Sequence, residues 1–381
     1  MLFLDNHSTT KVHPEVIESM SDYLRTSAGN PHSAHHLPGR LAASELEKSK
    51  ETIGKFFGVY GENIILTAGA TEANNLAIIG AARKNIENNP NKRIGFISCL
   101  EHKCVVEAAM FLKKEGFEIH RIPYEEKNGF DANVLRDLIS EETNFVSIMG
   151  ANNETSDSLN FNLASEICSQ NNVYFHSDFT QAIWGNKIDI IESRIGALSI
   201  SAHKINGPPG IGALICRERP EEFLSPIIFG GLQEENIRSG TSPVHLAIGF
   251  AKAIEILDKN FSKNTEKLHK LLKTFSETLL HLSSQVEINS KNTSGRPGGG
   301  NFHIKGLAAD DLCAYLGKKI AISGGAACSG VGLELSETLT AMGFNRTRVS
   351  NSIRICFSTD NNENDAIFAA QTIADAIDKL R

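Results

Sequence analysis

What the 381-residue sequence lacks bounds it first. It has seven cysteines, an odd number with no CxxC pair, which matches neither a disulfide framework nor a zinc site and fits a reducing cytoplasm. No uninterrupted apolar stretch approaches the ~20 residues a membrane span needs. The opening Met1-Leu2-Phe3-Leu4-Asp5 has neither the basic start nor the long apolar stretch of a secretory signal. Positive charge is not in excess. With 38 Lys and Arg against 45 Asp and Glu, the formal charge is -7, which argues against nucleic acid or an anionic membrane as the main partner. Repeats and low-complexity tracts are also missing. What remains is ordinary globular composition, 41% apolar and 22% charged, in a chain long enough for two domains.

Short runs rich in β-branched or aromatic residues alternate with helical patterns through the first two thirds. The runs are Ile64 to Thr67, Ile94 to Ser98, Glu118 to Ile122, Phe145 to Met149 and Val173 to His176. Between them, Ala73, Leu76, Ala77, Gly80 and Ala81 share one helical face, and Ala164 to Gln170 reads as another helix. Such alternation predicts an α/β fold, a mostly parallel sheet with helices on both faces and the ligand at the carboxyl ends of its strands. A long helical pattern then runs from about His245 into the Lys-rich stretch Asp258 to Lys273. Ser290 to Gly300 reads as a loop, followed by a strand at Asn301 to Ile304. The last helix is expected to carry Ile367, Ala370, Ala374, Ile377 and Leu380 on one face. This divides the chain into a large domain over 16–257 and a smaller α+β domain over 258–381, joined by 1–15.

Residues able to do chemistry punctuate the predicted strand ends. Ser201-Ala202-His203-Lys204 with Asn206-Gly207-Pro208-Pro209-Gly210 forms a loop between two apolar runs. A desolvated lysine there is a nucleophile able to form a Schiff base; the alternative is a surface lysine in an ordinary loop. Thr67-Ala68-Gly69-Ala70-Thr71-Glu72 opens a helix and offers free N–H groups to an anion, a role compatible with simple capping by Thr71. Asp178, at the end of a strand, either holds the proton of a ring nitrogen or caps the next helix, with Gln181 close by. His102 either stacks on a flat ligand or is a satisfied loop histidine. A phosphate cradle, a carboxylate for a pyridinium nitrogen and a Schiff-base lysine together form the binding kit of pyridoxal 5'-phosphate (PLP).

In the second domain, Cys328 stands in the glycine-rich stretch Ser323 to Gly332, the setting of a reactive thiol or of a passive loop cysteine. Arg354 interrupts a β-like run, either to capture a substrate carboxylate or as a structural ion pair. His32, His35 and His36 do not share a helical face and have no carboxylate or cysteine nearby in sequence, so no metal site is expected.

Taken in order, Leu4 to Thr10, Gly29-Asn30-Pro31, Gly69 to Glu72, Glu101-His102-Lys103, Asn152-Asn153-Glu154, Asp178 with Gln181, Ser201 to Gly212, Arg238-Ser239-Gly240-Thr241, the Cys328 loop and Arg354 resemble the cysteine desulfurases of the class V aminotransferase group, fold-type I PLP enzymes. The resemblance implies that Lys204 holds PLP and moves the Cα proton, that Asp178 pairs with the pyridine nitrogen, that Gln181 reaches the phenolic oxygen and that His102 stacks on the ring. It implies that Ala70, Thr71, Ser201 and His203 hold the phosphate, with Thr241 contributed by the partner subunit of a homodimer. Asn153 is implied in cofactor and substrate binding and Arg354 in substrate binding. Cys328 would take sulfur from L-cysteine as a persulfide, leaving alanine, for delivery to an acceptor protein serving iron–sulfur clusters, thio-cofactors or tRNA. Four departures stand out. After Asn152-Asn153-Glu154, Thr155-Ser156-Asp157-Ser158 stand where a glycine and an apolar pair are usual, Phe179 replaces a small alanine, and Leu232 and Glu235 replace a glycine and an arginine. A sister carbon–sulfur or selenocysteine lyase, or a non-catalytic interaction paralogue, are the alternative readings.

Overall fold

The computed structural model describes residues 1–324 and 335–381. Among them, seven strands form one sheet in the spatial order Ile64–Thr67, Gly212–Cys216, Ala197–Ser201, Tyr174–Asp178, Thr143–Ser147, Ile94–Ser98 and Glu118–Ile122. The five from Ala197–Ser201 to Glu118–Ile122 are parallel, and Gly212–Cys216 runs against both its neighbours. The expected mostly parallel sheet is therefore present. Thr143–Ser147, Ala197–Ser201 and Gly212–Cys216 are buried at every position, as expected of strands in a sheet covered on both faces. The polar exceptions satisfy one another. His176 hydrogen-bonds Ser147 Oγ through Nδ1 and Ser199 Oγ through Nε2, both at 2.9 Å, stitching three strands together.

The helix opened at Ala70 continues through a π turn at Leu76–Gly80 to Asn88. Its predicted face, Ala73, Leu76, Ala77, Gly80 and Ala81, is buried. Gly80 is required there, because a Cβ would stand 2.7 Å from the Ser225 carbonyl oxygen.

A second, antiparallel sheet has the order Ser323–Gly324, Ser352–Cys356, Gly299–Ile304 and Val286–Ile288. Helices Phe261–Leu282 and Glu363–Leu380 pack on each other beside it, whereas Val244–Lys259 packs on Pro14–Thr26 and Leu37–Phe56. The chain start joins the second sheet's side: Leu2–Phe3 pairs with Ile320–Ala321, and Asp5 bridges Cys356.

Three expectations need correction. The helical pattern from His245 to Lys273 is two helices that meet at Asn260, whose side chain bonds the Ile256 carbonyl and ends the first. The Ser290 to Gly300 stretch is not all loop, since Gly299 and Gly300 begin a strand. A Cβ on Gly299 would lie 2.1 Å from Ser156 Oγ, so only glycine lets the strand pass. The last helix buries Ala366, Ala369, Ala370, Ile373, Ala374, Ala376 and Ile377, leaving Ile367 and Leu380 partly exposed. Small alanines allow close approach to the neighbouring helix, and that face outcompetes the one chosen by size.

Candidate active site

The loops after five strands converge on a cleft of about 960 Å³ at the carboxyl ends of the parallel strands. Lys204 enters it from the turn Ala202–Lys204, directly after Ala197–Ser201. That turn is fixed at several points. Trp184 Nε1–H donates to the Lys204 carbonyl at 2.7 Å, and Thr10 donates to the His203 carbonyl from both its N–H and its hydroxyl. A Cβ on Gly207 would meet the Ala202 carbonyl oxygen at 2.8 Å. The amine itself donates to the main-chain carbonyls of His7 and Ser8, the latter at 2.7 Å. The N-terminal segment therefore orients the nucleophile, although it lies almost two hundred residues away in sequence.

Asp178 ends its strand inside the cleft. Its Oδ1 accepts the Thr180 N–H at 3.0 Å and its Oδ2 accepts Asn74 Nδ2–H at 2.8 Å. Gln181 donates from Nε2 to the His7 carbonyl at 3.0 Å, and its Oε1 is buried without a partner. His102 caps the helix Lys103–Lys113, its Nδ1 accepting the Cys104 N–H at 3.2 Å. Burial holds the His102 pKa below the usual imidazole value, with Lys204 pushing the same way and Asp178 opposing.

Across the cleft, Ala70 and Thr71 start their helix after Gly69, whose φ of 156° stands at the edge of the range other residues avoid. The turn is anchored from behind. Glu72 Oε2 accepts the Ala68 N–H at 2.7 Å while Arg238 donates to both Glu72 oxygens. Ser201 and His203 line the same side. His203 Nδ1 lies 3.1 Å from Thr9 Oγ1, and burial together with the Lys204 charge lowers its pKa to about 4. Near neutral pH this imidazole is uncharged and acts as a hydrogen-bonding group rather than a cation.

Arg354 lies on Ser352–Cys356 and is almost fully buried at the cleft wall. Its Nη1 donates to the Asn153 carbonyl at 3.0 Å, and its Nη2 to Asp5 Oδ1 at 3.0 Å and Ser8 Oγ at 2.7 Å. Nε is buried and unpaired. The structural ion pair and a place in the cleft wall are therefore both present. Of the Asn152-Asn153 pair, Asn152 is the buried anchor, taking the Glu154 and Thr155 N–H groups on Oδ1, and Asn153 faces the cleft.

The cleft thus gathers Lys204, His102, Asp178, Gln181, Ala70, Thr71, Ser201, His203, Asn153 and Arg354. Thr241 is exposed and does not line it. Cys328 lies outside the described residues. His36 caps the helix Leu37–Phe56 by accepting the Gly39 N–H at 3.1 Å, and His32 and His35 are exposed in the preceding loop.

Sequence reasoning missed His7, Asn74 and Cys104. His7 acts on Lys204 and Gln181 through its carbonyl, which no side-chain pattern reveals. Its ring is buried with Nε2 at 2.7 Å from Ser156 Oγ, and Ser156 holds a left-handed φ of 66° there. Asn74 and Cys104 each lie near the start of a helix, Ala70–Asn75 and Lys103–Lys113, with no motif of their own to mark them.

The residues present suit an anionic group at the Thr71, Ser201 and His203 side and a protonated ring nitrogen at Asp178. Gln181 Oε1 is a buried polar atom that a bound ring would cover.

The family description "Aminotransferase class-V" matches residues 2–367. "Cysteine desulfurase IscS" of Rickettsia massiliae (strain Mtu5) is 36% identical over 380 residues, spanning 100% of this chain and 92% of that protein. The solved "NIFS-LIKE PROTEIN" superposes with a TM-score of 0.91 at 29% identity, covering 99% of both chains. "SspA in complex with cysteine" does so with a TM-score of 0.81 at 28% identity, covering 94% of this chain and 99% of that one.

Proposed function

The chain belongs to the class-V aminotransferases, and we propose that it is a PLP-dependent cysteine desulfurase which moves sulfur from L-cysteine to Cys328. The observation that carries this reading is the meeting, in one cleft, of the Lys204 amine, the Asp178 carboxylate and the Thr71, Ser201 and His203 cradle. When bound, PLP draws electrons from the substrate carbon beside it, which makes the Cα proton acidic and the sulfur open to attack.

The protein's own groups do the rest. The helix-start N–H groups of Ala70 and Thr71, with Ser201 and His203, hold the phosphate. Asp178, oriented by Asn74 and the Thr180 N–H, keeps a proton on the ring nitrogen through a charge-assisted bond. Gln181 would face the phenolic oxygen, and His102 would cover the ring. Lys204, steered by the His7 and Ser8 carbonyls, carries the cofactor and moves the Cα proton. Arg354 and Asn153 receive the substrate carboxylate, the Nε of Arg354 being the donor left over from its structural pairing.

The Cys328 thiolate attacks the substrate sulfur. The carbon–sulfur bond breaks, a sulfur–sulfur bond forms, and the carbon takes a proton, so that cysteine and one thiol give alanine and one persulfide. The large domain over 16–257 supplies the cofactor side, and 258–381 with 1–15 supplies Arg354 and Cys328. A second copy of the chain brings Thr241 to the cradle, in a cytoplasmic homodimer that passes sulfur to an acceptor protein for iron–sulfur clusters or thio-cofactors.

The test measures alanine released from L-cysteine by the purified yellow protein. Cys328→Ser is expected to keep the colour and lose alanine release by orders of magnitude. Lys204→Ala is expected to lose covalent cofactor attachment after borohydride reduction. Wild-type alanine release by Cys328→Ser would replace desulfuration with a sister lyase reaction.

A further inference from the structure

Cys104 puts a thiol in the cleft wall, and nothing in the reaction above uses it. Burial pushes its pKa up to about 12, so it stays a thiol at neutral pH and is no nucleophile. Its surroundings are specific. Asn74 Nδ2–H donates to Cys104 Sγ at 3.1 Å, and the same amide nitrogen donates to Asp178 Oδ2 at 2.8 Å. With the Asn74 amide donating to the sulfur, the S–H points at the neighbouring acceptor, His102 Nδ1, 3.0 Å away.

That nitrogen already accepts the Cys104 N–H at 3.2 Å. An Nδ1–H proton would collide with both donors. The neutral ring therefore carries its proton on Nε2.

We propose that Cys104 is a positioning residue, whose thiol holds His102 in the Nε2–H form and ties its ring, through Asn74, to the Asp178 carboxylate. The consequence is a histidine that cannot turn in its plane and that offers one fixed N–H to whatever lies in the cleft. The inference rests on the reading of His102 as the group over the cofactor ring.

The direction of the effect follows from the bond. A donor aimed at Nδ1 stabilises the unprotonated nitrogen, so removing it favours the imidazolium. The charged groups facing the ring are Asp178, which raises its pKa, and Lys204, which lowers it, and both remain in the variants.

The experiment is imidazole nitrogen NMR on the histidine-labelled holoenzyme, with His102→Gln to identify the signal. Wild type should show a bare Nδ1 and a protonated Nε2. In Cys104→Ala, His102 should protonate at a pH higher by about half a unit to one unit, the worth of a single hydrogen bond. Cys104→Ser, which keeps a donor of similar size, should return it to the wild-type value. The acid limb of alanine formation should move with the same ordering. An unchanged titration in Cys104→Ala, or a Ser variant that behaves like Ala, overturns the proposal. If His102→Gln keeps wild-type alanine release, the reading of His102 fails instead, and the tautomer result still stands as a separate observation.

Discussion

At the scale of single residues, Glu101 shows how the site's framework couples to pH. It sits between the strand Ile94–Ser98 and the His102 cap, buried. Ser98 Oγ donates to Oε1 at 2.6 Å and the Met149 N–H at 2.7 Å, while Oε2 has no partner. Burial, with a smaller push from Asp178, raises its pKa from 4.5 to about 8. Between those values the folded chain keeps a proton that the unfolded chain has lost. Stability contributed by this group therefore falls as pH rises from about 4.5 to 8. Glu101→Gln keeps an oxygen for both donors and removes the titration. Urea midpoints at pH 5 and pH 8 should drop less in the variant than in wild type, and equal drops would refute the assignment. Residues such as Lys204, Asp178 and His102 were legible in the sequence because each is a polar side chain at the end of an apolar run. The His7 and Ser8 carbonyls were not, because main-chain acceptors look alike in every sequence. Cys104 was hidden for a different reason: in an apolar helix pattern a cysteine passes for a small core residue.

At the scale of elements, the edge strand Ile64–Thr67 delivers the Ala68–Thr71 turn, so its fixation matters for the cradle. A buried carboxylate provides it: Glu234 Oε2 accepts the Leu66 N–H at 3.2 Å and pairs with Lys50 at 3.1 Å. To place that carboxylate, Glu234, Glu235 and Asn236 adopt φ values of 46°, 54° and 63°, a left-handed turn that costs backbone strain. Glu234→Ala is expected to cost about 3 kcal/mol, because it strips a partly buried lysine and a buried strand N–H of their shared acceptor. Glu234→Gln should cost less, and the urea midpoint reads both. Equal midpoints for wild type and Glu234→Ala would show the clamp to be idle. Element existence was readable from periodicity, as the strands and the Ala73 face attest. What periodicity misjudged was rank among apolar positions: the last helix presents its alanines inward and leaves Ile367 and Leu380 at the rim. Close packing, not side-chain size alone, chose the face.

At the scale of the whole molecule, the cleft of one chain lacks a residue that the family pattern assigns to it. Thr241 is exposed, beyond the turn of Ser239 and Gly240, and the Glu72–Arg238 pair holds the start of its segment behind the cradle rather than in it. Nearby on the same segment, Phe229 and Leu232 are 77% and 80% exposed, a large apolar presence for a free surface. The proposed two-fold dimer would account for both facts, since an isologous contact would bury the same patch twice and exchange Thr241 between sites. The idea predicts complementation. Thr241→Asp sets a carboxylate against the bound phosphate and Lys204→Ala removes the nucleophile, so each homodimer should form no alanine. In a mixed dimer both defects fall in one site, and the other site pairs an intact Lys204 with an intact Thr241. Random exchange of equal amounts should recover roughly a quarter of wild-type alanine formation, because half the dimers are mixed and each has one working site. Tagged chains purified as mixed dimers would separate this from slow exchange. If those mixed dimers stay inactive, or if Thr241→Asp alone keeps full activity, each chain builds its site unaided and the shared cradle is wrong.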